Sequence, residues 1–201
     1  MGWIAAVQRV TVKDMELLTD RLRLRPWHTE EAPRLLEILG HPDVVRWLGD
    51  EGGTPPMTSL GHARHAIERY ADRSALPPLG VWAIEDRRTG AVAGTTLLQR
   101  LPNDTAGEVE VGWHLHPDSW GHGYAAEAAA AVLAYGFAHG LGEILAVTHP
   151  GNEPSMRVCE RLGMRHQGVV ERWYGGRSEL FRITLSEWAS HRRSQMSSAD
   201  R

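Results

Sequence analysis

The stretch HLHPDSWGHGYAAEA, residues 114–128, sets two closely spaced glycines, Gly121 and Gly123, just ahead of an alanine-rich run. Alternating residues before it read as a strand and the alanines as a helix, so Trp120-Gly121-His122-Gly123-Tyr124-Ala125 forms a strand-to-helix turn. The first N–H groups of a helix have no partner inside it, and together with the helix dipole they favour a bound anion. Glycine lets the backbone approach that anion without a Cβ in the way. It also admits the positive φ angles that aim successive N–H groups inward. A phosphate-bearing ligand suits this turn, and a glycine-rich connection that holds nothing is the plainer reading of the same residues.

Ligand classes differ in what must surround the glycines. A nucleoside-triphosphate loop needs G-K-[ST], which does not follow here. A dinucleotide fold is closer, because Gly121, Gly123 and Ala126 satisfy G-x-G-x-x-[GA]. Yet Pro117-Asp118-Ser119 separates strand from glycines, and the next strand closes on Thr148-His149-Pro150 where an acidic residue should hold a ribose; Glu143 lies at its wrong end. An NAD(P)-dependent oxidoreductase is therefore a minor alternative. His114 and His116 share a strand face, but no carboxylate or cysteine cluster at ligand spacing accompanies them, and no metal site is expected.

The elements that must carry this turn are legible from periodicity. The chain has 201 residues, 42% hydrophobic and 23% charged, the composition of an ordinary globular protein of one domain. A strand is predicted near 21–26 and a helix over 29–39. Further helices are predicted at 43–48 and 59–73, separated by the breaker-rich loop GDEGGTPPM. A hairpin over 80–86 and 91–101 turns at Arg88-Thr89-Gly90, and a strand over 108–116 alternates Val109, Val111, Trp113 and Leu115 with Glu108, Glu110, Gly112 and His114. A helix over 124–139, a strand over 143–149, a helix over 152–162 and a final pair near 165–174 and 177–185 complete a mixed-sheet α/β domain. Residues 1–16 read as a loose arm, 17–192 as the domain and 193–201 as a polar tail. A net charge of −3 argues against phosphate-backbone binding, so no nucleic-acid partner is expected. The apolar runs are too short for a membrane span. A lone cysteine, Cys159, and an N-terminus without a secretory pattern fit a cytoplasmic protein.

HPDSWGHGYAAEA followed by NEPSMRVCERLGM resembles the Gcn5-related N-acetyltransferase (GNAT) superfamily, in particular its ribosomal-protein N-terminal acetyltransferase (RimJ/RimL-like) branch. LLTDRLRLRPW near the start and GGRSELFRITLSEW near the end extend the resemblance over about 17–192. It implies a single domain with a mixed, mostly antiparallel central sheet flanked by helices. It also implies acetyl-CoA as co-substrate and direct transfer of its acetyl group to a primary amine in a ternary complex. The amine would be a protein N-terminus or a small molecule, and homodimers are familiar among relatives. In such proteins the turn binds the coenzyme pyrophosphate through backbone N–H groups. That assigns Trp120, Gly121, His122, Gly123, Tyr124 and Ala125 to the coenzyme, with Trp113 and Leu115 on the strand that orients the thioester. Relatives carry Gln or Arg at the position of Trp120, although Trp is familiar in this branch, so the backbone cradle is the firmer part of the assignment.

Acetyl transfer needs a free amine lone pair, a polarised carbonyl and a proton for the departing thiolate. Glu110 matches the family position that draws the amine's proton through water, with Glu108 on the same strand face as a second candidate; either could equally be a solvated strand carboxylate. The tyrosine that serves many relatives as acid is replaced by Cys159, which reads as a small buried residue. The resemblance gives the acid role to Ser155, whose plainer reading is a first-turn helix serine. It places Asn152 against the pantetheine arm, while Arg157 and Arg161, four apart on one helix face, are candidates for the 3′-phosphate or for plain solvent exposure. The missing tyrosine also leaves open a non-catalytic acyl-CoA-binding module. Acceptor choice is expected to rest on residues 28–78 and on the Trp173-Tyr174-Gly175-Gly176 turn.

Overall fold

The computed structural model describes residues 15–49 and 53–199. Most of the N-terminal arm, residues 50–52 of the GDEGGTPPM loop and the last two residues lie outside that range. Eight strands form one sheet: β1 (Leu17–Leu18), β2 (Leu22–Arg25), β3 (Gly80–Asp86), β4 (Val92–Arg100), β5 (Val109–Leu115), β6 (Glu143–Thr148), β7 (Arg165–Val170) and β8 (Ser178–Thr184). Their order is β1-β2-β3-β4-β5-β6-β8-β7, and every neighbouring pair is antiparallel except β5 with β6. This is the mixed, mostly antiparallel single-domain architecture that the sequence predicts.

Alternation assigns the two faces. Trp82, Ile84, Val109, Val111 and Leu115 point to one side. There they form the main core with α4 (Tyr124–Ala138), α5 (Glu153–Arg161) and α6 (Leu185–Ala199). Alanine is the best helix former and the smallest side chain that still packs, so the alanine-rich α4 lies flat on the sheet through Ala128, Ala129, Val132 and Leu133. Ala83 and Val92 point the other way, into a second core with Trp27, Leu35, Ile38, Val44, Ala63 and Ile67. Those residues come from β2's exit and from α1 (Ala32–Gly40), α2 (Pro42–Val45) and α3 (Leu60–Arg73).

Two differences from the sequence expectation matter. β1 is too short to show a period, and it is held by Trp82, whose indole N–H donates to the Met15 carbonyl at 2.7 Å. Residues 193–199, read as polar tail, continue α6. The buried Trp188 packs against Phe137 of α4 and anchors the helix on the domain. α6 also presses on the turn after α5, where Gly163 (φ +76°) leaves no room: a Cβ there would lie 2.6 Å from the His191 ring. Gly163→Ala therefore combines left-handed strain with overpacking and is expected to cost about 2–4 kcal/mol. Gly140→Ala, with φ +91° and open space around it, should cost only the strain. Urea unfolding of both variants checks this, and equal losses would mean that α6 does not bear on the turn.

Candidate active site

β5 and β6 are in register at a single pair, Glu110 with Leu145. Beyond it the two parallel strands continue without pairing, so the sheet opens toward their carboxyl ends and leaves the β5 edge free there. In α/β sheets, ligands settle at such a break outside the strand ends. α4 follows β5 and α5 follows β6, so both helix N-termini stand at the mouth of the opening.

Gly121 and Gly123 both take φ +78°, and Gly123 is the residue preceding α4. An added Cβ on Gly121 would meet nothing within 4 Å. The turn therefore borders open space at Gly121. The side chains around it are engaged elsewhere. Trp120, 46% exposed, donates its indole N–H to the Leu115 carbonyl at 2.9 Å and pins the turn to the end of β5. Tyr124 donates its hydroxyl to Asp86 at 2.6 Å. Asp86 in turn accepts from the Arg88 and Thr89 amides at 2.8 and 3.2 Å, tying the β3–β4 hairpin to the start of α4. Ala125, Trp113 and Leu115 pack against the α4-side core, which leaves their main chain as the part that faces a ligand. His122 is exposed and its Nδ1 lies 2.9 Å from the Trp120 carbonyl. From the opposite layer, Arg34 of α1 donates to Val92 O at 2.8 Å and to both carboxylate oxygens of Asp118 at 3.0 and 2.8 Å, holding the approach to the turn.

Glu110 sits at the vertex of the opening and is only 4% exposed. Because Val109 and Val111 face α4, its carboxyl points to the α1–α3 side. Gln99, opposite it on β4, donates Nε2–H to Oε1 at 2.9 Å, and Tyr174 donates its hydroxyl to the same oxygen. Arg73 at the end of α3 donates to Gln99 Oε1 at 3.2 Å, which fixes the amide's orientation. Among the described residues nothing is recorded donating to Oε2. Burial pushes the Glu110 carboxyl up to about 7, against the lowering effect of the Tyr174 and Gln99 hydrogen bonds. Tyr174 is pushed the same way, first by its own burial and then by the Glu110 charge.

The segment carrying Tyr174 is itself fastened. Arg172 lies 4.2 Å over the Trp173 ring and pairs with Glu108 at 2.6 Å, while Trp173 takes φ +65° and packs with Leu101 and Leu145. Glu108 is thereby an anchor for this turn. Gln99 has no signal in the sequence short of the strand register, and Tyr174 becomes part of the site only through a contact 64 residues distant.

Asn152, buried, accepts from the Ser155 amide at 3.3 Å and caps α5. Ser155 is half-buried. Cys159 is buried and its thiol is pushed up to about 12 by burial, so it stays an inert apolar residue. Arg157 pairs with Glu153 at 3.0 Å on the exposed side of α5. His114 is held neutral by burial, which lowers it to about 4, and His116 caps the turn after β5 by accepting from the Asp118 amide at 3.2 Å. No group of three or more potential ligands that could hold a metal occurs among the described residues.

The sheet is thus mostly antiparallel and parts at its one parallel pair, with a glycine turn and two helix N-termini at the mouth. Residues 21–165 match the acetyltransferase (GNAT) domain, and the chain belongs to this family of acetyl-transferring enzymes. It is 32% identical over 162 residues to the uncharacterized protein YkkB of Bacillus subtilis (strain 168), covering 79% of this chain and 90% of that one. It is 27% identical over 170 residues to the uncharacterized N-acetyltransferase p20 of Bacillus licheniformis, covering 84% and 93%. Among solved structures, Mycobacterium smegmatis RimJ in complex with CoA-disulfide aligns with TM-score 0.73 at 20% identity, over 90% of each chain. A GNAT-family acetyltransferase from Bacillus anthracis aligns with TM-score 0.70 at 23% identity, over 85% and 98%. Family membership sets the oxidoreductase alternative aside.

Glu110 supplies a stability test. In the fold its carboxyl keeps a proton up to about pH 7, whereas the ordinary value is 4.5, so between these two values the native state holds a proton that the unfolded chain has lost. Stability therefore falls as pH rises through that window, by about 3 kcal/mol in total. Glu110→Gln keeps an oxygen for both donors and removes the loss. Urea unfolding should show the variant gaining on wild type by about 3 kcal/mol between pH 4.5 and pH 8.5. A constant gap would mean that the carboxyl ionises as freely in the fold as in water.

Proposed function

We propose that the protein moves the acetyl group of acetyl-CoA directly to the α-amine of a protein N-terminus, as the RimJ/RimL-like branch does. The observation that carries this reading is Glu110, a buried carboxyl poised near 7 at the vertex of the opening. A base is most useful when its pKa lies near the working pH and near that of the group it relieves. An α-ammonium at about 7.7–8.0 is within one unit of Glu110, whereas a lysine at about 10.4 is three units away.

In this mechanism the glycine turn and the free β5 edge hold the coenzyme through main-chain groups. Glu110 takes a proton from the amine, directly or through one water, with Tyr174 and Gln99 holding Oε1 so that Oε2 faces the acceptor. The amine nitrogen forms the new bond to the carbonyl carbon, and as the carbon–sulfur bond breaks the nitrogen sheds its second proton to water, leaving the neutral amide. Ser155, at the positive end of α5, donates its proton to the departing thiolate and recovers one from solvent.

Initial rates at pH 7.5 should favour peptides with a free N-terminus over Nα-blocked lysine peptides by at least about 100-fold in kcat/KM. The acid limb of that profile should report an apparent pKa near 7, and Glu110→Gln should remove the limb and slow the reaction by about 100- to 1,000-fold. Ser155→Ala should lower kcat, and lines in two-substrate plots should intersect. Parallel lines would overturn direct transfer, equal use of the two amines would overturn the α-amine reading, and turnover of any amine excludes a non-catalytic module.

A further inference from the structure

Arg73, exposed at the end of α3, has no charged partner among the described residues. Its Nη1 donates to a neutral acceptor, Gln99 Oε1, at 3.2 Å. The carboxylates around it are engaged elsewhere or turned aside. Glu108 pairs with Arg172 at 2.6 Å, Asp104 accepts from the Glu108 amide at 2.7 Å, and Glu68 of α3 lies 3.3 Å from His65. Asp72 is exposed, and successive residues of a helix do not face each other. Glu110 takes its hydrogen bonds from Gln99 and Tyr174, both neutral.

This cation stands one side-chain amide from the Glu110 carboxyl. The Gln99 amide receives Arg73 on its oxygen and gives its Nε2–H to Glu110 Oε1 at 2.9 Å. The guanidinium is also near enough to the Tyr174 hydroxyl to oppose the upward push of burial and of the Glu110 charge, and it acts likewise on Tyr70. An ammonium group drawn to Glu110 therefore arrives beside a guanidinium, an unfavourable approach for an amine whose own charge is not offset. A carboxylate on the same acceptor offsets that repulsion and gains charge-assisted hydrogen bonds from the guanidinium N–H groups that Gln99 leaves unused.

Reach decides where the carboxylate lies. Two hydrogen bonds and the width of an amide separate Arg73 from Glu110 Oε1, more than the distance from amine to carboxylate within one amino acid. Successive Cα atoms are about 3.8 Å apart, so a carboxylate on the next residue of an extended chain spans the gap.

We infer that the acceptor carries a carboxylate one residue beyond its reacting amine, and that Arg73 receives it as a specificity-determining side chain. The carboxylate belongs either to an acidic second residue of a protein N-terminus or to the C-terminus of a dipeptide. This rests on the acetyl-transfer reading above and narrows its acceptor. Arg172, the other guanidinium beside the site, is already paired with Glu108 and braces the β7–β8 turn.

Initial rates of the full chain with acetyl-CoA test it, on pairs of acceptors that differ by one charge. Peptides beginning serine-aspartate should exceed their serine-asparagine counterparts by at least about fivefold in kcat/KM. The dipeptide of serine and alanine is compared in the same way with its C-terminal amide, and a preference confined to that pair supports the inference with a small peptide as the acceptor. Arg73→Gln should bring the ratio of charged to uncharged acceptor close to one, and Arg73→Lys should retain most of it. Arg64→Gln, an equal charge change on the opposite face of α3, should keep the full ratio. If Arg73 only holds Gln99, its removal slows all acceptors by one factor and leaves the ratio untouched. That outcome, or a wild type indifferent to charge in both pairs, overturns the inference while acetyl transfer stands. Failure of wild type to acetylate any of these acceptors overturns it together with the acetyl-transfer reading.

Discussion

The single register pair between Glu110 and Leu145 is the constraint on which the rest depends. A parallel pair cannot be joined by a tight turn, so it demands a crossover helix, and α4 supplies it. Had the strands stayed paired to their ends, the main-chain groups of β5 beyond Glu110 would bond to β6 and present nothing to a ligand. Parting after one pair gives up a few ladder hydrogen bonds and leaves an extended edge flanked by two helix N-termini. Hairpins on both flanks, β3–β4–β5 and β6–β8–β7, hold the halves of the sheet so that the gap stays local.

At the vertex, competing effects of similar size set the chemistry. Removing Glu110 from water disfavours its charge, and the hydrogen bonds from Tyr174 and Gln99 favour it. Burial wins by a margin that leaves the carboxyl near 7 rather than permanently protonated. Both donors act on one oxygen, Oε1. The balance depends on three elements distant in sequence: β4 through Gln99, α3 through Arg73, and the β7–β8 turn through Tyr174. The turn is in turn braced by the Arg172–Glu108 pair, so the carboxylate one step down the strand stabilises the site without touching the reacting atoms.

What could be read from the sequence was what local spacing determines. The alternation of β5 placed Glu110 opposite the apolar face, the glycine pair placed the left-handed residues before α4, and Asn152 marked the start of α5. Contacts made across the sheet were not legible. Gln99 is one of several polar residues of β4 until the β4–β5 register sets it beside Glu110. Tyr124 belongs to the glycine turn in sequence, but its hydroxyl is committed to Asp86, 38 residues earlier. α6 escaped notice because its polar second half gives no period, and its placement is decided by Trp188 and by the bare Gly163.

The division of labour between main chain and side chain explains how so different a set of sequences keeps this shape. Relatives of known structure at 20% and 23% identity align with TM-scores of 0.73 and 0.70. The proposed coenzyme site, a parted strand edge and a turn with two left-handed glycines, would require a backbone path and few particular side chains. Trp120 illustrates the tolerance: its indole N–H closes back on the Leu115 carbonyl and braces the turn without having to meet the ligand. The opposite face has no such freedom. There the Glu110 carboxyl depends on side chains from α3 and the β7–β8 turn for its protonation, and the proposed function would have the acceptor meet those same elements. Under the proposed function, substitutions that change the acceptor would act on the base as well, which would couple amine choice to the amine's own pKa.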